Sequence, residues 1–393
     1  MEKTIRSLQG QEMLEAIYTL NSYSLHPSPP FRNKEEWMGI VSTRKGLTCH
    51  ALFEDEAPVS VVVSTAMTQN MRGNLYPACG IWGVSTDPAA RRKGYCKALM
   101  ASELSAEHQS GKVFSNLYPF RESFYERLGY VSFPLTKIAR FSPQALMPLL
   151  KIELDGEITL RPIGEAFETY RDYLAEMRRD RHGMAFFDFG DQSAANRANL
   201  WLALARFDGK IEGLMLYRIL GDEPTKFNFL AYRFYYQTSR GRGLLLNWIA
   251  RHVDQADQVE LWLSEDEMPE TWLADLQIKI ESAERAAMSR VLDVEKISGM
   301  QVGEGSFSAR IIDPICPWNA AIWRFESQAG KLRVSTAGEA DCELAIQGLT
   351  ALVNGTHDPQ DLPLRDWGNP DPGLQITLRR MFPRLSPYMH ENF

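Results

Sequence analysis

Two basic, glycine-bearing segments stand 149 positions apart in this chain of 393 residues: Arg91-Arg92-Lys93-Gly94 and Arg240-Gly241-Arg242-Gly243. Each follows a run fit for a strand, GIWGVST before the first and KFNFLAYRFYY before the second, and each leads into an apolar helical pattern. The next β-rich run recurs too, as GKVFSNLYP and then QVELWLSED. A repeat constrains the fold more than any single motif does, because a chain too long for one ordinary core then uses one architecture twice. The second copy is altered: no Asp-Pro turn precedes its loop, and nothing after it matches the first copy's FYERLGY, residues 124–130.

In the first copy, Glu12 to Tyr23 has helical periodicity and runs into the loop HPSPPF, ahead of a short helix from Glu35 to Val41. LTCHALFED and PVSVVVSTAMTQNM read as a hairpin turning at FEDEAP. After GIWGVST come a helix from Tyr95 to Gln109, a strand in KVFSNLYP, a short helix in FRESFYERLG ended by Gly129, and a last strand, YVSFPLTKIARF. This is an α+β unit with a mixed sheet over residues 1–152, with its altered copy over 153–287. From 288 to 393 the pattern changes: FSARIIDP, AAIWRFES and KLRVST read as strands, and CELAIQGLTALVNG as a strand passing into a helix. The tail MFPRLSPYMHENF, with Met381, Phe382, Tyr388 and Phe393, is too aromatic for a solvated end and is expected to dock on the body.

Charge and composition narrow the function class. A net charge of −7 argues against a general nucleic-acid binder and is compatible with a cationic small substrate. No apolar run reaches the roughly 18–20 residues of a spanning helix, and no signal-peptide core is present, so a cytoplasmic protein is expected. Five scattered cysteines and seven histidines form no pairing or metal-ligand spacing, so neither a disulfide framework nor a metal site is expected.

The segment VSTDPAARRKGYCKALM, residues 84–100, can hold an anion. The first N–H groups of a helix have no intrahelical partner and carry partial positive charge, Gly94 allows close main-chain approach, and Arg91, Arg92 and Lys93 add charge. A solvated turn is the other reading, although basic side chains at a helix start have the wrong sign for helix stability alone.

With the downstream Tyr125-Glu126-Arg127-Leu128-Gly129-Tyr130, the segment resembles the GCN5-related N-acetyltransferase (GNAT) superfamily. Two such units, the second degraded, followed by a smaller domain similar to sterol carrier proteins and a terminal Phe, look like the Eis-type acetyltransferases. The resemblance implies acetyl-CoA as co-substrate, an amine-bearing small molecule or lysine as acceptor, and a homo-oligomer, commonly a hexamer. It implies that Val84, Ser85 and Thr86 lie along the pantetheine arm, that the loop Arg91, Arg92, Lys93, Gly94, Tyr95, Cys96 and Lys97 holds the pyrophosphate, and that Phe120 and Arg121 lie near the cofactor. Tyr125 matches the family's general acid; its other reading is packing beside Phe124 and Leu128. The carboxylate of Phe393 matches the base; its other reading is a frayed end. An acidic residue often precedes the terminal Phe in this family, whereas here Asn392 stands there, Glu391 is one position back, and His26 lies in the early loop. That departure weakens any expectation of aminoglycoside acetylation. The second copy keeps Arg240, Arg242 and Gly243 but lacks the tyrosine element, and is expected to be structural. A non-catalytic lipid- or ligand-binding protein built on the third domain is the alternative function.

Overall fold

The computed structural model describes residues 2–25, 28–29, 31–223 and 226–393. His26 lies outside them. The chain opens with β1 (Lys3–Ser7), α1 (Gly10–Leu25), α2 (Lys34–Ser42), β2 (Leu47–Glu54), β3 (Ala57–Met71) and β4 (Asn74–Thr86). It continues through α3 (Tyr95–Gln109), β5 (Phe114–Leu117), α4 (Glu122–Glu126) and β6 (Val131–Ser132). The middle part holds β7 (Lys137–Phe141), β8 (Glu157–Pro162), α5 (Phe167–Asp180), β9 (Ala185–Phe187), α6 (Gln192–Arg197), β10 (Trp201–Phe207), β11 (Lys210–Leu220), β12 (Phe227–Tyr236), α7 (Ser239–Ala250), β13 (Ala256–Leu263) and β14 (Lys279–Ser282). The last part holds β15 (Met288–Val291), β16 (Ser306–Ile312), β17 (Ile322–Gln328), β18 (Lys331–Thr336), β19 (Cys342–Ala345), α8 (Ile346–Asn354) and α9 (Pro372–Met381). The fold is α+β, and no helix among the described residues is long and apolar enough to cross a membrane.

The strands form three mixed sheets, ordered β1-β2-β3-β4-β5-β15-β6 with β9 paired to β3, then β14-β7-β13-β12-β11-β10-β8, and β18-β17-β16-β19. Their grouping departs from the linear boundaries at residues 152 and 287. One compact unit comprises 1–134, 178–189 and 286–393; the other comprises 135–177 and 190–285. YVSFPLTKIARF is therefore not one strand. Pro134 lacks the N–H that would continue the ladder, so β6 stops after two residues and the chain next pairs, as β7, with β13 and β14. The place beside β5 is taken by β15, with Met288 opposite Leu117 and Val291 opposite Phe114.

In the first unit, β3 is buried along most of its length, and its run Val61, Val62 and Val63 is completely covered. Such a run belongs to a strand packed on both faces, and each of these side chains contributes roughly 1.5–3 kcal/mol by burial. The sterol-carrier-like part is tied into the same unit by a fully buried ion pair. Arg290 on β15 meets Asp313 Oδ2 at 2.5 Å and also donates to the Leu128 carbonyl, one turn past Tyr125. Asp313 accepts in addition from the Cys316 and Ile315 amides and from Asn319 Nδ2, so every charge is hydrogen-bonded. Removing either partner of such a pair costs roughly 3–5 kcal/mol, because the other charge stays buried.

Candidate active site

The site begins with a defect in the first sheet. β4 runs antiparallel to β3 throughout, but its parallel pairing with β5 covers only Ala78–Ile81 against Phe114–Leu117. Past Ile81, Gly83 and Val84 together stand against Val62, a β-bulge. Gly83 has φ +62°, and a Cβ there would sit 2.8 Å from the Asn21 amide nitrogen, so both conformation and space require glycine. The bulge bends β4, and among the described residues no strand accompanies Val84, Ser85 and Thr86 on the β5 side. Ser85 is buried, with its hydroxyl on Asn21 Oδ1, and its carbonyl accepts from Ser60 Oγ at 2.9 Å.

The basic loop follows directly. Asp87 caps the turn at Pro88–Ala90 by accepting from the Ala89 amide at 2.8 Å. Arg92 has φ +62° and Gly94 has φ +83°; a non-glycine residue in that region stores roughly 1–3 kcal/mol. Gly94 is the N-cap of α3 and supplies no side-chain cap, so among the described residues no side chain caps the first amides of the helix, and Arg91 and Arg92 beside them are exposed. Arg91 Nε donates to the Thr86 carbonyl at 3.1 Å, which holds the side chain along the opening of β4. Lys93 differs: its Nζ lies 3.0 Å from Glu54 Oε1, and the buried Tyr95 donates its hydroxyl to the same carboxylate. These two residues brace the loop against β2. Burial pushes the Cys96 thiol up to about 11, so it stays protonated and packs rather than reacts; Lys97 is exposed on α3.

Tyr125 sits on α4 and is 3% exposed. Three rings meet it edge-on: Phe124 at 5.0 Å between centroids, Phe120 at 5.6 Å and Tyr130 at 6.1 Å. Burial, helped by the nearby Cys96, raises its hydroxyl well above the usual phenol range, so it is a proton carrier at any physiological pH. Gly129, at φ +93°, ends this turn where a Cβ would strike Arg290 and Ile346 at 2.9 Å. The buried ion pair thus stands directly behind the tyrosine element. Phe120 is 67% exposed and Arg121 is exposed, at the mouth of this aromatic group.

The terminal residue is docked. The Phe393 ring packs 5.5 Å from Phe187 and 5.6 Å from Tyr118, and Gly80 of β4 leaves the room: a Cβ there would lie 3.0 Å from that ring. Tyr118, against which the Phe393 ring packs, directly follows β5, and Leu117 before it packs in the same cluster as Tyr125. The tail is held amide by amide: Leu385 to the Gly355 carbonyl, Tyr388 to His182 at 3.0 Å, and Glu391 to Ala185. Arg72, buried, donates to the carbonyls of Leu352, Val353 and Pro383, joining the end of α8 to the start of the tail. His182 accepts from the Arg72 amide at Nδ1 and donates from Nε2 to the Asn354 carbonyl, a pairing only the neutral ring can make.

Burial, partly offset by that Nε2 bond, lowers His182 to about 4 from its ordinary 6.5. Between pH 6.5 and 4 the unfolded chain binds a proton that the folded chain excludes, so stability falls as pH drops through this window. The loss is at most about 3 kcal/mol for this one group. Denaturant unfolding at pH 7 and pH 4.5 should show the slope in the parent chain and a shallower one in His182→Gln; equal slopes would remove His182 as the source.

A cavity of about 270 Å³ adjoins Phe393 in the first unit. Its walls include Asn21, Trp37, Arg44, Trp82, Phe187 and Asn392. Sequence reasoning did not identify these residues as site residues, apart from noting Asn392. Trp82 precedes the bulge, and Phe187 comes from β9, in a stretch that the linear boundaries assign to the second copy. Only their shared helical or strand periodicity was visible.

In the second unit, β12 also carries a bulge, at Tyr232, and pairs in parallel with β13 only as far as Ala231. Its loop, however, is spent internally. Arg240 is clasped by Glu212 of β11, with Nε at 2.7 Å from Oε2, and the Thr238 hydroxyl donates to the same carboxylate at 2.6 Å. Arg240 and Thr238 hold the Glu212 carboxyl down at about 2, so this internal anion is permanently charged.

Residues 4–132 match the family described as acetyltransferase (GNAT) domain, and residues 295–390 match the sterol carrier protein domain. Among curated proteins none matches. Solved structures share the architecture: a probable N-acyltransferase from Enterococcus faecalis (19% identity, all of both chains, TM-score 0.85), a GCN5-related N-acetyltransferase from Anabaena variabilis (17%, 98% of this chain and 99% of that one, 0.84) and Eis1 from Mycobacterium abscessus (17%, all of both chains, 0.77). At these identities it is the fold that is common.

Proposed function

Because this chain is a GNAT-domain acetyltransferase of Eis-type architecture, ending in a sterol carrier protein domain, we propose that it takes acetyl-CoA as donor and acetylates a primary amine by direct attack. The pantetheine arm lies along Val84, Ser85 and Thr86 in place of the missing strand, and the pyrophosphate rests on the α3 N-terminus between Arg91 and Arg92. The amine nitrogen attacks the thioester carbonyl, the C–S bond breaks, and an amide and CoA thiolate form. The thiolate takes the Tyr125 proton; of the two protons the ammonium nitrogen loses, the first passes to the Phe393 carboxylate through water or to solvent before attack, and the second, shed as the amide forms, returns to the Tyr125 phenolate. A free α-carboxylate is a weak base for an amine near 10.4, so orienting the amine is a large part of its role.

The observation that carries this reading is the uncapped α3 N-terminus beside the bent end of β4, which no described strand accompanies on its β5 side, with the buried Tyr125 in the same apolar cluster as Leu117 at the end of β5. The reading of the third domain as a scaffold for the C-terminus rests on its interior. Phe307 and Phe325 stack at 4.8 Å, Phe382 meets Phe307 edge-on at 6.3 Å, and all three are buried. Calorimetric titration with acetyl-CoA and a thiol-release assay on a panel of amines test the function. Binding in the range of roughly 1 μM to 1 mM with thiol release is expected; a protein that binds neither acetyl-CoA nor CoA would overturn it.

A further inference from the structure

We propose that Glu103 and Glu107 of α3 keep one proton between them at neutral pH, shared through Ser64, and that this proton makes the seating of α3 on the first sheet sensitive to alkali. The two carboxyls lie one turn apart on the helix, which packs on β2 and β3, and the residues are 0% and 3% exposed. Ser64 Oγ, on β3, lies 2.6 Å from Glu103 Oε1 and 2.5 Å from Glu107 Oε1. Each of these contacts needs a hydrogen, and a serine hydroxyl has one to give. The second hydrogen therefore belongs to a carboxyl, which donates to Ser64 while Ser64 donates to the other. His50 Nδ1, on β2, meets the remaining oxygen of Glu103, Oε2, at 2.6 Å, so its hydrogen does not enter this count. The inference does not depend on the acetyl-transfer reading.

Three effects oppose a doubly ionised pair. Burial raises the Glu103 carboxyl above its ordinary range, against the pull of its His50 and Ser64 contacts. Like charges one helical turn apart repel. Both residues also stand in the C-terminal half of α3, where the helix dipole favours cations. Little positive charge answers them: among the described residues neither carboxylate pairs with a lysine or an arginine, and His50 is the ion-pair partner of Glu103. Ser110 Oγ adds a contact of 3.3 Å to Glu107 Oε2. Cys49 on β2 and Cys79 on β4 face the cluster as thiols that burial pushes up, so they stay protonated, and Lys112, beyond the end of α3, acts on Cys79. Two carboxyls coupled this closely titrate as a unit, so the proton belongs to the pair. Its loss leaves two buried carboxylates on one hydroxyl hydrogen, at the rear of the helix that Gly94 caps. In the unfolded chain both glutamates ionise near about 4.3. The folded chain holds one proton more above that value, so stability falls as pH rises through the pair's own value.

Infrared spectroscopy of the full chain at pH 7, where ordinary Asp and Glu side chains are ionised, tests the proton directly. A carboxylic-acid carbonyl band is expected, shifting when the glutamates are labelled with carbon-13 and lost in Glu107→Gln, whose amide N–H takes the place of the shared proton. A parent chain without that band overturns the proposal, and this reading needs no variant to fold; a band that persists in Glu107→Gln overturns it too. Denaturant unfolding between pH 6 and pH 9 tests the consequence. The parent should lose stability relative to Glu107→Gln as pH rises, its folding constant falling by up to about tenfold per pH unit against the variant, the linkage of one proton. His182 is common to both chains and cancels. Parallel profiles, or a parent that gains on the variant with rising pH, overturn the proposal.

Discussion

Tyr125→Phe is expected to lower kcat by roughly 10²- to 10⁴-fold, the range that a positioned general acid supplies, with acetyl-CoA affinity unchanged. The substitution removes only a hydroxyl that forms no hydrogen bond with another described residue, so the three edge-on ring contacts survive and the packing around α4 should persist. A side chain that served packing alone would therefore tolerate the change. Burial holds the phenol protonated well beyond neutral pH, so it arrives at the reaction carrying its proton and can pass it to a departing thiolate, itself the base of an acid near 8.5–9. The measurement is steady-state thiol release alongside calorimetry with CoA and a thermal melt. Unchanged kinetics would return Tyr125 to a packing role; a lower melting temperature with proportionate loss of activity would assign the effect to folding.

Adding a single glycine after Phe393 should reduce turnover by a similar factor, roughly 10²- to 10⁴-fold, and leave acetyl-CoA binding intact. The Phe393 ring keeps its seat against Phe187, Tyr118 and Gly80 in such a variant, and the tail keeps its amide contacts to Gly355, His182 and Ala185. What moves is the carboxylate alone, by about 3.8 Å of chain. Deleting Phe393 is the coarser control, since it removes the ring as well. A glycine-extended chain with full activity would exclude the terminal carboxylate from the reaction while leaving the docking of the ring in place.

Much of this site could be read along the chain because its parts are local. The Asp87-Pro88 turn, the run Arg91–Gly94 and the helix over Tyr95–Gln109 fall where the spacing put them, since caps, turns and helical periodicity depend on neighbours a few residues away. The residue types in a local motif do not reveal their individual partners. Lys93 and Tyr95, grouped with Arg91 and Arg92 by sequence, are drawn back to Glu54 on β2, 39 and 41 positions away. The same holds for the second loop. Its arginine survives in the sequence as though an anion site remained, and the carboxylate of Glu212 that occupies it comes from a different strand.

The sequence alone determined the repeated architecture, the basic glycine-bearing loop, the tyrosine element and the aromatic end, because each is written in short-range pattern. Only the tertiary structure decided the partners. It moved β7 out of the first sheet and β15 into it, and brought β9 from the middle of the chain to wall the cavity beside Phe393. Periodicity records which face of a segment is buried, and it is silent on what buries it; strand pairing and pocket walls are chosen by contacts across hundreds of residues.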